Sequence, residues 1–112
     1  HINAHATSTP AGDSTEAAAI SDVFGDSRPA VSSTKGMTGH ECWMAGASEI
    51  GYSLLMAQHG FIAANRNLSQ PDPACAGLDL VFATRETRPR TILSNSFGFG
   101  GTNACIALEV VE

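Results

Sequence analysis

Strand-like and helix-like segments alternate through the first sixty residues, and this alternation narrows the fold more than any other feature. Residues 1–4 (HINA) read as the end of a buried strand. A helix is expected over 13–24. Asp13 and Glu16 have capping-box spacing, with Asp in place of the usual Ser or Thr, Ala17, Ala18, Ala19 and Ile20 supply core-facing content, and Gly25 stops the run. Residues 29–33 (PAVSS) are short and β-like, and 35–40 form a loop with two glycines. A second helix is expected over 41–59, with Gly60 as its left-handed C-terminal residue. Its Ile50, Leu54, Leu55 and Met56 are mixed with Ala45, Gly46, Ala47, Ser48 and Gly51, small residues that permit close packing against a neighbour. The stretch 61–78 is irregular around Pro71 and Pro73. Two strands close the chain, 91–96 and 103–111, joined by the glycine-rich turn 97–102. This order predicts a sheet layered with helices, an α/β architecture.

At 112 residues the chain is one small domain, 1–112, with 43% apolar content. It opens inside a strand with nothing to cap or start it, so it is expected to be a piece of something larger. A net charge of −5 argues against a nucleic-acid binder, which needs clustered Lys and Arg. No apolar run approaches the length of a membrane-spanning helix. Cys42, Cys75 and Cys105 are dispersed and odd in number, which fits reduced thiols in a cytoplasm better than a disulfide framework.

Three polar clusters follow strands or occupy turns, where layered α/β folds usually build their sites. In the first, His5-Ala6-Thr7-Ser8-Thr9-Pro10, a histidine precedes alternating hydroxyls. It offers an acid/base group with hydrogen-bond donors, though taken alone it reads first as a Ser/Thr-rich turn with a surface histidine. In the second, Lys35-Gly36-Met37-Thr38-Gly39-His40, His40 sits at the expected helix start. There the positive end of the dipole and Lys35 both favour a neutral imidazole that can donate to an oxyanion. The alternative is a helix-capping histidine with a solvated lysine. In the third, Asn95-Ser96-Phe97-Gly98-Phe99-Gly100-Gly101-Thr102-Asn103, glycines can expose backbone N–H groups to an anion. It also fits a plain hairpin turn, and it is no dinucleotide fingerprint, because a strand follows instead of a helix. His40 and Cys42 are two apart, but no second pair has ligand spacing, so no metal centre is expected. Arg85, Arg88 and Arg90 form a small basic cluster, read as a solvated loop beside Pro89 rather than a contact for an acidic carrier protein.

Taken in order, His-x-Thr-x-Thr-x-x-Gly-Asp (5–13), Lys-x-x-x-Gly-His (35–40 with Gly39) and Asn-Ser-Phe-Gly-Phe-Gly-Gly-Thr-Asn (95–103) resemble the C-terminal part of the β-ketoacyl-acyl carrier protein synthases. The resemblance covers essentially the whole chain, and Tyr52-Ser53-Leu54-Leu55-Met56 is most similar to the type I bacterial branch. It implies a thiolase-like fold, α-β-α-β-α in layers, of which this chain would be most of the second half. The implied reaction is a decarboxylative Claisen condensation of malonyl-carrier protein with an acyl group held on a cysteine, in fatty acid biosynthesis.

By the same resemblance, His5 and His40 are the catalytic histidines and Lys35 is the lysine that supports them. Thr7 and Thr9 bind the pantetheine arm. Phe99 is the gate, and its N–H contributes to an oxyanion hole. Glu16, with Asn3, Ser94 and Asn95, belongs to an acidic and possible monovalent-cation site, and no other cofactor is implied. The implied partners are an acyl carrier protein bearing acyl or malonyl groups, the N-terminal half of the same enzyme and a second copy in a homodimer. The nucleophilic cysteine belongs to that N-terminal half, and none of Cys42, Cys75 and Cys105 sits in a matching motif, so the segment alone is expected to be inactive and to aggregate or remain partly unfolded.

The chain departs from the pattern at two places. Ala6 replaces a glycine, which requires a negative φ there, and Glu41-Cys42-Trp43-Met44 replaces a run of small residues. Two other readings share the fold: a non-catalytic partner similar to chain-length factors, and a thiolase relative. Retention of His5, Lys35 and His40 speaks against the first. The lack of a Cys-x-Gly motif near the end speaks against the second.

Overall fold

The computed structural model describes residues 1–111. Its elements follow the order β1 (Ile2–Asn3), α1 (Pro10–Phe24), β2 (Ala30–Ser32), α2 (Lys35–Thr38), α3 (Ala45–His59), β3 (Asp79–Leu80), β4 (Thr91–Phe97) and β5 (Asn103–Glu109). They form one five-stranded sheet in the order β3-β2-β1-β4-β5. β1 to β4 run parallel, and β5 returns antiparallel along β4.

Register divides the sheet into two chemically different faces. Leu80, Val31, Ile2 and Leu93 are neighbours across four strands, and with Ile20 of α1 they form the apolar core. Burying each large aliphatic side chain there is worth about 1.5–3 kcal/mol. One residue further along each strand, Ser32, Asn3 and Ser94 form a second row. Successive residues of a strand point to opposite faces, so this row lies under α3, and Asn3 Nδ2 donates to the Glu49 carbonyl (3.3 Å) and to Ser53 Oγ (3.1 Å). Ser96 continues the same face, and a Cβ added at Gly46 would come within 3.2 Å of its Oγ. The small residues of α3 therefore set a close helix–sheet contact, as their spacing predicted.

The α/β expectation holds, with local corrections. α1 begins at Pro10, not Asp13, because proline suits the first helical position and Thr9 already lies outside in extended backbone. No capping box forms, since Glu16 is recruited to a tertiary role described below. The expected 35–40 loop contains the four-residue helix α2, which Gly39 ends with φ 73°. Gly36 stands in α2 because a Cβ there would fall 2.6 Å from the Arg66 carbonyl oxygen. The second helix starts as a tight 3₁₀ turn over Cys42–Met44 before α3 proper, and it ends at Gly60 in the left-handed conformation as expected. β3 was not foreseen, because it is only two residues long and one of them is Asp79. β4 runs one residue further than expected, and β5 stops at Glu109.

Candidate active site

His5 leaves the C-terminal end of β1 and His40 follows Gly39, and their rings meet edge to face with centroids 5.5 Å apart and planes at 89°. Phe97, the last residue of β4, packs on His5 at the same 5.5 Å. Two histidines from separate chain segments therefore share one wall at the C-terminal edge of the parallel strands.

Backbone bonds to side chains hold each histidine in place. Glu16 projects from α1 beneath the β1–α1 turn, where its Oε1 accepts from the His5 N–H (2.9 Å) and its Oε2 from the Ala6 N–H (2.9 Å). Asn95 Nδ2 donates to the same Oε1 at 3.0 Å. A carboxylate with three N–H donors is a strong anchor. It holds Ala6 at φ 32°, and Ser8 two residues further on stands at φ 60°. The negative φ expected at Ala6 is thus overturned: the clamp demands the left-handed conformation that glycine would adopt without strain. Ala6→Gly is expected to raise stability by about 0.5–1 kcal/mol, the difference between relief of left-handed strain and the extra entropy of an unfolded glycine. A lower melting temperature for that variant would show that the Ala6 methyl is worth more in packing than the strain it causes.

His40 is fixed from the other side. Its Nδ1 accepts the Cys42 N–H at 2.9 Å. A nitrogen that accepts carries no proton, so Nε2 is left as the donor. His5 has a pKa held below the usual histidine range. Burial is the first cause and the positive charge of Lys35 the second, with Glu16 opposing them.

Lys35 enters at the first position of α2 and is buried, with 6% of its side chain exposed. It pairs with Glu49 of α3, whose side chain is 1% exposed. Sequence reasoning missed Glu49, although the signal was present. It lies four residues after Ala45 and four before Ser53 on the buried stripe of α3, an odd place for a carboxylate without a partner. Phe97 and the Cys42 N–H were also missed as contacts of the histidines.

The remaining expected residues fall as follows. Thr7 and Thr9 follow His5 with hydroxyls 3.3 Å apart, Thr7 half-buried and Thr9 exposed. Phe99 is fully exposed at the tip of the glycine-rich turn, which Gly98 N–H to Thr102 O closes at 2.7 Å. The set Glu16, Asn95, Asn3 and Ser94 is divided by the sheet: the first two bond each other on the α1 face, and the last two lie under α3. Arg85 forms a double hydrogen bond with Asp79, and Arg88 donates to the Gln58 carbonyl. Among the described residues no group of three His, Cys, Asp or Glu side chains is placed to hold a metal ion, and no helix is long and apolar enough to cross a membrane.

Comparison with known proteins locates this geometry. Residues 1–69 match the family model described as the C-terminal domain of beta-ketoacyl synthase. The whole chain is 53% identical to 3-oxoacyl-[acyl-carrier-protein] synthase 1 of Escherichia coli K12, and spans 28% of that protein's length. It is 46% identical over 111 residues to the mitochondrial 3-oxoacyl-[acyl-carrier-protein] synthase of Arabidopsis thaliana, covering 24% of it. Among solved structures, the ishigamide ketosynthase/chain length factor superposes with a TM-score of 0.92 at 39% identity, over 99% of this chain and 28% of that one. A type II polyketide ketosynthase solved in complex with its acyl-carrier protein gives 0.91 at 33%, over 98% and 28%.

Proposed function

The chain belongs to the beta-ketoacyl synthase C-terminal domain family, with a thiolase-like fold, and on that premise we propose that it is the C-terminal catalytic part of a 3-oxoacyl-[acyl-carrier-protein] synthase of fatty acid biosynthesis. The observation that carries this reading is the pair of facing histidines, one with Nδ1 committed to backbone and Nε2 left to donate.

In this reading the malonyl thioester carbonyl accepts hydrogen bonds from His5 and His40. The bond between the carboxylate and the α-carbon breaks, carbon dioxide leaves, and its electron pair becomes an enolate-like charge that the two donors stabilise. The α-carbon then attacks the acyl thioester, a carbon–carbon bond forms, and the cysteine thiolate departs. The Phe99 N–H serves the oxyanion of that second step, and the Thr7 and Thr9 hydroxyls take the pantetheine amides.

The chain spans 28% of its relatives' length, and the nucleophilic cysteine is assigned to the N-terminal half of the same enzyme. Exposed Trp43, Met44, Leu54 and Leu55 in and before α3 support a further layer over that helix. An acyl carrier protein as substrate donor, a homodimer and a cytoplasmic setting complete the proposal, the last supported by three free cysteines.

A monovalent cation fits under α3 better than beside Glu16. The Glu16 oxygens already take three donors, whereas Glu49 Oε2 and Ser94 Oγ are buried without one. When bound there, the cation would take Glu49 Oε2, the carboxylate oxygen that Lys35 leaves free.

The test is carbon dioxide release from malonyl-carrier protein by the full-length polypeptide, with condensation product measured alongside across pH. Release coupled to condensation is expected from above neutrality down to about pH 6.5, the usual histidine value. Below that, His5 takes a proton as pH falls through its depressed pKa. An imidazolium then hands its proton to the enolate and quenches it, so condensation falls faster than release. The same shift lowers native stability on that acid side, since the unfolded chain protonates first. No carbon dioxide release at any pH would sink the enzyme reading in favour of a chain-length-factor-like partner.

A further inference from the structure

Behind the β1–α1 turn lies a cavity of about 530 Å³, within the size range of small-molecule sites. Ala6, Ser8 and Thr9 line it, whereas His5 and Thr7 do not, so the two histidines face away from this cavity and Thr9 stands at its edge. The floor is apolar, built from Val31, Ile20, Leu78 and Leu80. The rim carries three carboxylates, Asp13, Glu16 and Asp72, against one cation, Arg66. Both Glu16 oxygens already accept from donors, three in all. Asp13 differs: its Oδ1 is buried and accepts no hydrogen bond. A buried acceptor left unmet costs free energy that a donor would recover.

We infer that this cavity binds a small amphiphile with a cationic amine head, the ammonium donating to Asp13 and the apolar body lying over Ile20 and Leu80. The excess of carboxylates on the rim disfavours an anionic head, and a purely apolar occupant would leave Asp13 unmet. Because Ala6 and Ser8 belong to the strained turn that carries His5, occupancy presses on the backbone that positions that histidine. The inference is independent of the reaction proposed above.

Cys75 lines the cavity and is half-buried, which makes it a reporter. Burial pushes its thiol up, so its alkylation by iodoacetamide is best followed on the alkaline side. The full-length polypeptide would be labelled with octylammonium, octanoate or octanol present, and Cys75 modification quantified by peptide mass spectrometry. Octylammonium is expected to slow labelling several-fold while octanoate and octanol do not, and Asp13→Asn and the floor-filling Ile20→Phe each should remove the protection. Equal labelling with and without octylammonium in the unsubstituted protein overturns the site, and equal protection by all three probes overturns recognition of the amine. The comparison of the three probes needs neither variant, so a folding defect in one does not rescue the inference.

Discussion

Replacing His40 by alanine in the full-length polypeptide is expected to lower carbon dioxide release from malonyl-carrier protein by about 10²–10³-fold, the usual cost of one lost oxyanion donor. The expectation rests on orientation. The Cys42 N–H holds Nδ1 at 2.9 Å, which leaves Nε2–H as a donor whose direction is set before substrate arrives. Glutamine places an N–H near the position of Nε2 but cannot accept from the Cys42 backbone through the same ring. His40→Gln should therefore recover part of the loss, with a larger effect on kcat than on KM, because the contact tightens as charge develops. A His40→Ala enzyme within a few-fold of the parent would remove His40 from the reaction. Equal activity of the alanine and glutamine variants would mean that the lost contribution is packing against His5 and not donation.

The second large effect is on stability. Glu49→Ala strips the partner from a lysine whose side chain is 6% exposed. An unpaired charge left inside costs about 3–5 kcal/mol, enough to bring a marginally stable protein close to unfolding. Glu49→Gln keeps an acceptor for Lys35 Nζ and should cost less. The double variant Lys35→Met with Glu49→Leu removes both charges together and should restore most of the melting temperature, since replacing a buried pair by apolar side chains is often neutral. Its activity should stay low, because His5 then loses the positive neighbour that helps keep it neutral. Stability and activity would separate in that protein. A melting temperature for Glu49→Ala equal to that of the parent would show that water reaches Lys35.

The elements and the chemistry were legible to different depths. Gly25 and Gly60 closed their helices where the sequence placed them, because those stops depend on local backbone. His5, Lys35 and His40 stood out as residue types in turns after strands. What they bond to was not legible, because each partner arrives from a distant element: Glu16 from α1, Asn95 from β4 and Glu49 from α3. Asp13 and Glu16 had the spacing of a capping box, and a local rule had no means of knowing that the β1–α1 turn would claim the glutamate. The division of the Asn3, Ser94, Glu16 and Asn95 group was readable in principle. Residues 94 and 95 are consecutive in a strand, so they had to face opposite layers.

The row of Ser32, Asn3 and Ser94 under α3 carries a consequence for how the site is made ready. Serine gives up little rotamer freedom on burial, and glycine and alanine on the facing helix give up none. Where Ala45, Ser53 and Ala57 seat α3 on such residues, the side-chain entropy cost is less than leucines there would carry. Glu49 rides on that helix, and His40 is fixed by the turn that leads into it. The ordering cost of this layer is therefore concentrated in Lys35 and Glu49, which are locked by their own pairing, instead of being spread along the whole helix–sheet contact.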